Sequence, residues 1–138
     1  MEINELVKEV HKGLKEKGFA DGSRTIVEQL ALINCEVAEA VEEIRSGKAP
    51  NETYYSCKES SSYMGEIIET KIYNSIFKGD APTKNLICNK IEGVPSELAD
   101  IILRVCGMCG EFNIDIETII KEKMEYNKTR VFKHGKTM

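Results

Sequence analysis

At 138 residues the chain is long enough for one hydrophobic core but not for two independent ones, so it is read as a single domain over 1–138. Its net charge of −4 leaves no electrostatic footprint for nucleic acid polymers or membrane surfaces, and no apolar run reaches transmembrane length. The start "MEINELVKEVHKGLKEKG" is acidic and helical in period, unlike a signal peptide, and five cysteines without a disulfide framework fit a reducing compartment, so the expected location is cytoplasmic.

Ile3, Leu6, Val7, Val10 and Leu14 recur at helical spacing and predict a first helix over about 3–17. "KGFADGS" breaks it, and either Ser23 or the Thr25–Glu28 capping box starts a second helix running to about residue 46. Ile26, Leu30, Ile33, Val37, Ala40, Val41 and Ile44 form its apolar stripe. A long connecting segment, about 47–92, carries Tyr54, Tyr55, Tyr63 and Tyr73. Within it, "SSSYMGEIIETKIYNSIFKG" predicts a third helix burying Met64, Ile67, Ile68, Ile72 and Phe77. Pro95-Ser96 opens a fourth helix over about 96–111, with a stripe of Leu98, Ile101, Ile102, Val105, Cys109 and Phe112. After "FNID", a fifth helix is predicted over about 116–130.

Two of these helices carry carboxylates three residues apart, Glu36 with Glu39 and Glu97 with Asp100. Positions i and i+3 are neighbours on a helix, so each pair presents four oxygens from one turn. Glu36 lies about 90° and Glu97 about 100° from the centre of its stripe, with the second carboxylate further round the same side. Helices packed through these stripes would gather four anions at the edge of the core. Such a cluster needs protons or cations, and an all-oxygen ligand set favours Mg²⁺, with Mn²⁺ as a substitute. Taken singly, each pair is also what a solvated helix face looks like, because Glu favours helices and water. Di-iron is disfavoured: neither His11 nor His134 follows a core Glu at the spacing such sites use.

Lys123, Asn127 and Arg130 fall at i, i+4 and i+7 on the last helix, with Asn127 near the centre of the stripe formed by Ile116, Ile120 and Met124. They suit either an amphipathic terminal helix or a phosphate clamp. Cys106 and Cys109, without further ligands, read as small buried hydrophobes.

The ordered set "EVAE", "ELAD" and "KMEYNKTRVFKHGK" resembles the MazG-like branch of the all-α nucleoside triphosphate pyrophosphohydrolases, over about 23–46 and 91–136. The resemblance implies Mg²⁺-dependent cleavage of a nucleoside triphosphate to monophosphate and pyrophosphate. By matching positions, Glu36, Glu39, Glu97 and Asp100 would hold the metal, and Lys123 and Asn127 would contact substrate. The long segment between Glu39 and Glu97 departs from the short hairpin of many members. The expected fold is an all-α, four-helix-type bundle of about five helices, completed as a homodimer or dimer of dimers. The expected chemistry is attack of water on the α-phosphorus, with Glu36 or Glu39 taking its proton and Arg130 joining Lys123 and Asn127 on the substrate. Two alternatives share this scaffold: a phosphoribosyl-ATP pyrophosphohydrolase of histidine biosynthesis, and a non-catalytic helical regulator.

Overall fold

Thr25 decides where the second helix starts: its hydroxyl accepts from Glu28 N at 3.1 Å and donates to the Glu28 carboxylate at 3.3 Å, so the capping box prevails over Ser23. The computed structural model describes residues 2–60, 67–73 and 86–131, with side-chain surroundings for 2–57 and 87–131. Among the described residues the order is α1 (Ile3–Glu16), α2 (Ile26–Arg45), β1 (Tyr54–Ser60), β2 (Ile67–Tyr73), β3 (Leu86–Glu92), α3 (Val94–Glu111) and α4 (Ile116–Lys128). The described structure is mostly helical with one small sheet. None of its helices is long and apolar enough to cross a membrane.

The sheet corrects the all-α expectation. Where a third helix was expected over about 60–79, β2 runs through Ile67–Tyr73; Met64, Tyr63 and Phe77 lie outside the described residues. The physical reason is visible in "IIETKIY", where five of seven residues are β-branched or aromatic. Short apolar runs are ambiguous in period, and long-range pairing settles them. β1 is the central strand, antiparallel to both neighbours, with Tyr55 opposite Tyr73 on one side and Ile91 on the other.

The β1–β3 register shifts between Ser56 and Lys58, and at that irregularity Cys57 is disulfide-bonded to Cys88. This corrects the expectation of a chain without disulfides. The partners are 31 residues apart and meet through strand pairing, which cysteine spacing does not reveal.

Two compact units are distinguished, one of Met1–Gln29 with Leu103–Met138 and the other of Leu30–Ile102. In the first, Val7 of α1 packs with Cys106 and Cys109 of α3, and Leu6, Val10, Val105 and Ile116 surround them. The two thiols are buried packing residues, as expected, and burial raises both above the usual thiol range. Close approach of α1 to α3 needs small residues: a Cβ on Gly110 would lie 2.6 Å from His11 Cβ. Glu117 of α4 accepts from Ile3 N at 2.9 Å and Asn4 N at 3.3 Å, satisfying N–H groups at the start of α1 that have no partner within the helix.

In the second unit, Gly93 joins β3 to α3 with φ +109°, and a Cβ there would collide with the Glu52 carbonyl oxygen. Glycine alone fits both conditions. The turn sets the phase of the first turn of α3, since Glu97 N donates to Gly93 O at 3.1 Å. As a result Glu97 is buried while Leu98, on the expected stripe, is 51% exposed. On α2 the stripe residues Leu30, Val37, Val41 and Ile44 are likewise about half exposed, and the buried residue is Glu36.

Candidate metal centre

Glu36 reaches the site from the middle of α2, and Glu97 and Asp100 from the first turns of α3. One carboxylate oxygen from each lies within 4.8 Å of the others, all inside the Leu30–Ile102 unit. Glu36 and Glu97 are each 7% exposed, and Asp100 opens to solvent. Burying two carboxylates side by side is costly unless something positive or a proton joins them.

Glu97 shows that cost directly. Burial, with the neighbouring Glu39, Glu36 and Asp100 carboxyl groups, pushes its pKa up to about 7. Its Oε2 is buried without a hydrogen-bond partner. Glu39 is exposed, and among the neighbouring carboxyl groups it does most to raise Glu97. All four carboxylates expected from the sequence therefore gather around Glu97, with Glu39 on the solvent side.

A hard divalent cation fits this arrangement. The donors are all carboxylate oxygens, and the orphan Glu97 Oε2 has a lone pair that ligand bonding would satisfy. Glu36, Glu97 and Asp100 are the residues that would hold Mg²⁺ or Mn²⁺.

Lys123, Asn127 and Arg130 belong to the other unit, and all three are exposed. α4 ends at Lys128 with Thr129 as its cap, so Arg130 lies beyond the helix expected to carry it. Its guanidinium sits 5.8 Å from the centroid of the Tyr126 ring. Asn127 was expected near the centre of an apolar stripe; its exposure, together with Met124 at 57%, leaves its amide in solvent.

Sequence reasoning missed a second group of carboxylates. Glu43, Glu92 and Glu97 also bring one oxygen each within 4.8 Å of one another. The Tyr54 hydroxyl, 2.8 and 3.0 Å from the two Glu43 oxygens, donates to that carboxylate, and the Ser56 hydroxyl donates to Glu92 at 3.2 Å. Lys90 Nζ lies 3.3 Å from the same Glu92 oxygen, and Lys48 Nζ lies 4.5 Å over the Tyr54 ring. Glu43 was legible in principle, since it follows Glu39 by one helical turn on α2. Glu92 and Tyr54 were not, because their roles depend on the sheet.

Comparison with models of known families, with curated proteins and with solved structures gives no match.

Proposed function

We propose that the chain is a Mg²⁺-dependent nucleotide pyrophosphohydrolase, cleaving a nucleoside triphosphate to monophosphate and pyrophosphate, as its resemblance to the MazG-like enzymes implies. The observation that carries this reading is the convergence of Glu36, Glu97 and Asp100 with an unpartnered, buried Glu97 oxygen among them. Mg²⁺ bound by these carboxylates would neutralise phosphate oxygens and make the α-phosphorus open to attack. Of the two candidate bases we choose Glu39, because it is exposed to water while Glu36 is buried. It takes a proton as water oxygen bonds to the α-phosphorus, and the bond from that phosphorus to the bridging oxygen breaks to release pyrophosphate. Lys123, Asn127 and Arg130 are free of burial and suited to hold phosphate or sugar oxygens.

The same reading includes a homodimer. Leu30, Val37, Val41 and Ile44 form a half-exposed stripe along α2, an apolar surface of the kind that a second copy of the chain would cover. Sedimentation should give at least twice the monomer mass.

The direct test is pyrophosphate release from a panel of nucleoside triphosphates and phosphoribosyl-ATP, with Mg²⁺ and with EDTA. Mg²⁺-dependent release from at least one substrate is expected. A folded protein inert on the whole panel would leave a non-catalytic scaffold.

A further inference from the structure

Cys57 and Cys88 are joined where the pairing of β1 with β3 is interrupted. Ser56 faces Lys90 and Lys58 faces Ile87, so a single residue of β1 stands against two of β3. Such a bulge breaks the run of ladder hydrogen bonds, and the covalent bond spans the break. Next to it lies the corner that aims Glu97. Tyr54, Tyr55 and Ser56 pair with Glu92, Ile91 and Lys90, and the Ser56 hydroxyl donates to the Glu92 carboxylate at 3.2 Å. Gly93 follows at once, pressed against the Glu52 carbonyl, and its own carbonyl accepts from Glu97 N at 3.1 Å. Three residue pairs and the disulfide therefore hold the start of α3 to β1. A ribbon that short is marginal without further support.

We propose that the Cys57–Cys88 disulfide is a redox switch. Formed, it clasps β3 to β1 and fixes Glu97 among its neighbours; opened, it loosens that corner and lowers the affinity of the centre for a divalent cation. The effect on affinity rests on the metal reading of Glu36, Glu97 and Asp100, whereas the clasp does not.

The other thiols favour a bridge that opens over a permanent framework. Cys35, Cys106 and Cys109 are free, and Cys35 is exposed. A framework protein of an oxidising compartment pairs its cysteines, whereas one bridge beside an accessible free thiol suits surroundings whose thiol poise varies. Access to the bridge is one-sided, because Cys57 is fully buried and Cys88 is only partly so. A dithiol reductant therefore attacks Cys88 Sγ. Its first thiolate forms a mixed disulfide there, and the Cys57 sulfur leaves and takes a proton. The second thiol of the reductant then attacks the reductant sulfur of that mixed disulfide, releasing Cys88 as a thiol. Two electrons pass to the protein, and the reductant ends as a disulfide. The reverse exchange, with a disulfide oxidant, closes the clasp again.

The test compares the full chain in its oxidised form with the same chain after dithiothreitol, removed under argon. Alkylation and mass measurement should count three free thiols before reduction and five after it, with far-UV helicity kept. Amide hydrogen exchange across 93–100, measured in EDTA, should quicken on reduction. Mn²⁺ affinity, titrated by electron paramagnetic resonance, should fall about tenfold, as when an outer support of a metal ligand is lost. Reoxidation should restore both. Cys88→Ser should behave as the reduced protein does and ignore dithiothreitol. Unchanged Mn²⁺ affinity or unchanged exchange at the start of α3 would overturn the switch. So would a bridge that opens only when the chain unfolds, or five thiols that a disulfide oxidant does not join. Mn²⁺ bound by neither form, with exchange still following the redox state, would uphold the clasp and remove the metal reading instead.

Discussion

Glu36 on α2 and Glu97 on α3 are both more than nine-tenths buried, with carboxylate oxygens within 4.8 Å of each other. Without a cation, the fold relieves this pair by keeping a proton on Glu97 up to about pH 7, against an ordinary value of 4.5. Between those limits the folded chain binds a proton that the unfolded chain has released. Stability should therefore fall as pH rises from about 4.5 to about 7, by something on the order of 1–3 kcal/mol. Asp21 and Asp115 are shifted the other way, held below 3.8 by hydrogen bonds from Ser23 and Asn4 respectively, so their contributions disappear only at lower pH. Urea denaturation in EDTA across this window measures the fall, and Glu97→Gln should flatten it. A wild-type stability that rises through the window would mean that Glu97 is not protonated in the fold.

Glu39 separates catalysis from folding. It is exposed, so Glu39→Gln should leave the helicity and the cooperative fold intact. Loss of the base should lower the rate of pyrophosphate release by about 10²–10⁴-fold. Wild-type rates in this variant would return the role of base to another group.

Gly93 tests whether the β3–α3 turn positions the site. Alanine there meets both a left-handed backbone and the Glu52 carbonyl. Gly93→Ala should cost about 1–3 kcal/mol in stability, and in the surviving folded fraction it should weaken Mn²⁺ binding by moving Glu97. A variant with unchanged melting and unchanged Mn²⁺ affinity would show that the turn is not what aims Glu97.

What could be read in the sequence followed from local periodicity. α1 came out with its buried face correct, because Leu6, Val7 and Val10 obey one helical period and pack on α3. The Glu36–Glu39 and Glu97–Asp100 pairs stood out for the same reason. The stripes of α2 and the first turns of α3 were right as patterns and wrong as burial maps: Leu98 and Ile102 are 51% and 55% exposed while Glu97 beside them is inside, whereas Val105 and Cys109 further along α3 do pack into the core. Periodicity says which face is apolar, not which face has something against it. The sheet was invisible on the same grounds, since β1 finds its partners in β2 and β3 and no local signal states that register. With the sheet went the disulfide, Tyr54, Ser56 and Glu92.

Removing the cation should tie function to stability. If Glu36, Glu97 and Asp100 share one, binding to the folded state alone adds RT ln(1 + [L]/Kd), about 1.4 kcal/mol at ten times Kd. For a domain of this size that raises Tm by roughly 3–6 °C. Glu36→Gln removes one of the two buried charges and should melt higher than wild type in EDTA at pH 8, where Glu97 is ionised. The same variant should gain less from millimolar-range Mg²⁺, because a ligand has gone with the charge. Solvated glutamates predict neither change, as substitutions on an exposed face lie within about 0.5 kcal/mol. Four melting curves decide it: wild type and Glu36→Gln, each in EDTA and in Mg²⁺. The expected result is that the order of the two proteins narrows or reverses on adding metal. Parallel shifts in both would mean that Mg²⁺ binds elsewhere, and the cluster would then be held together by the Glu97 proton rather than by a cation.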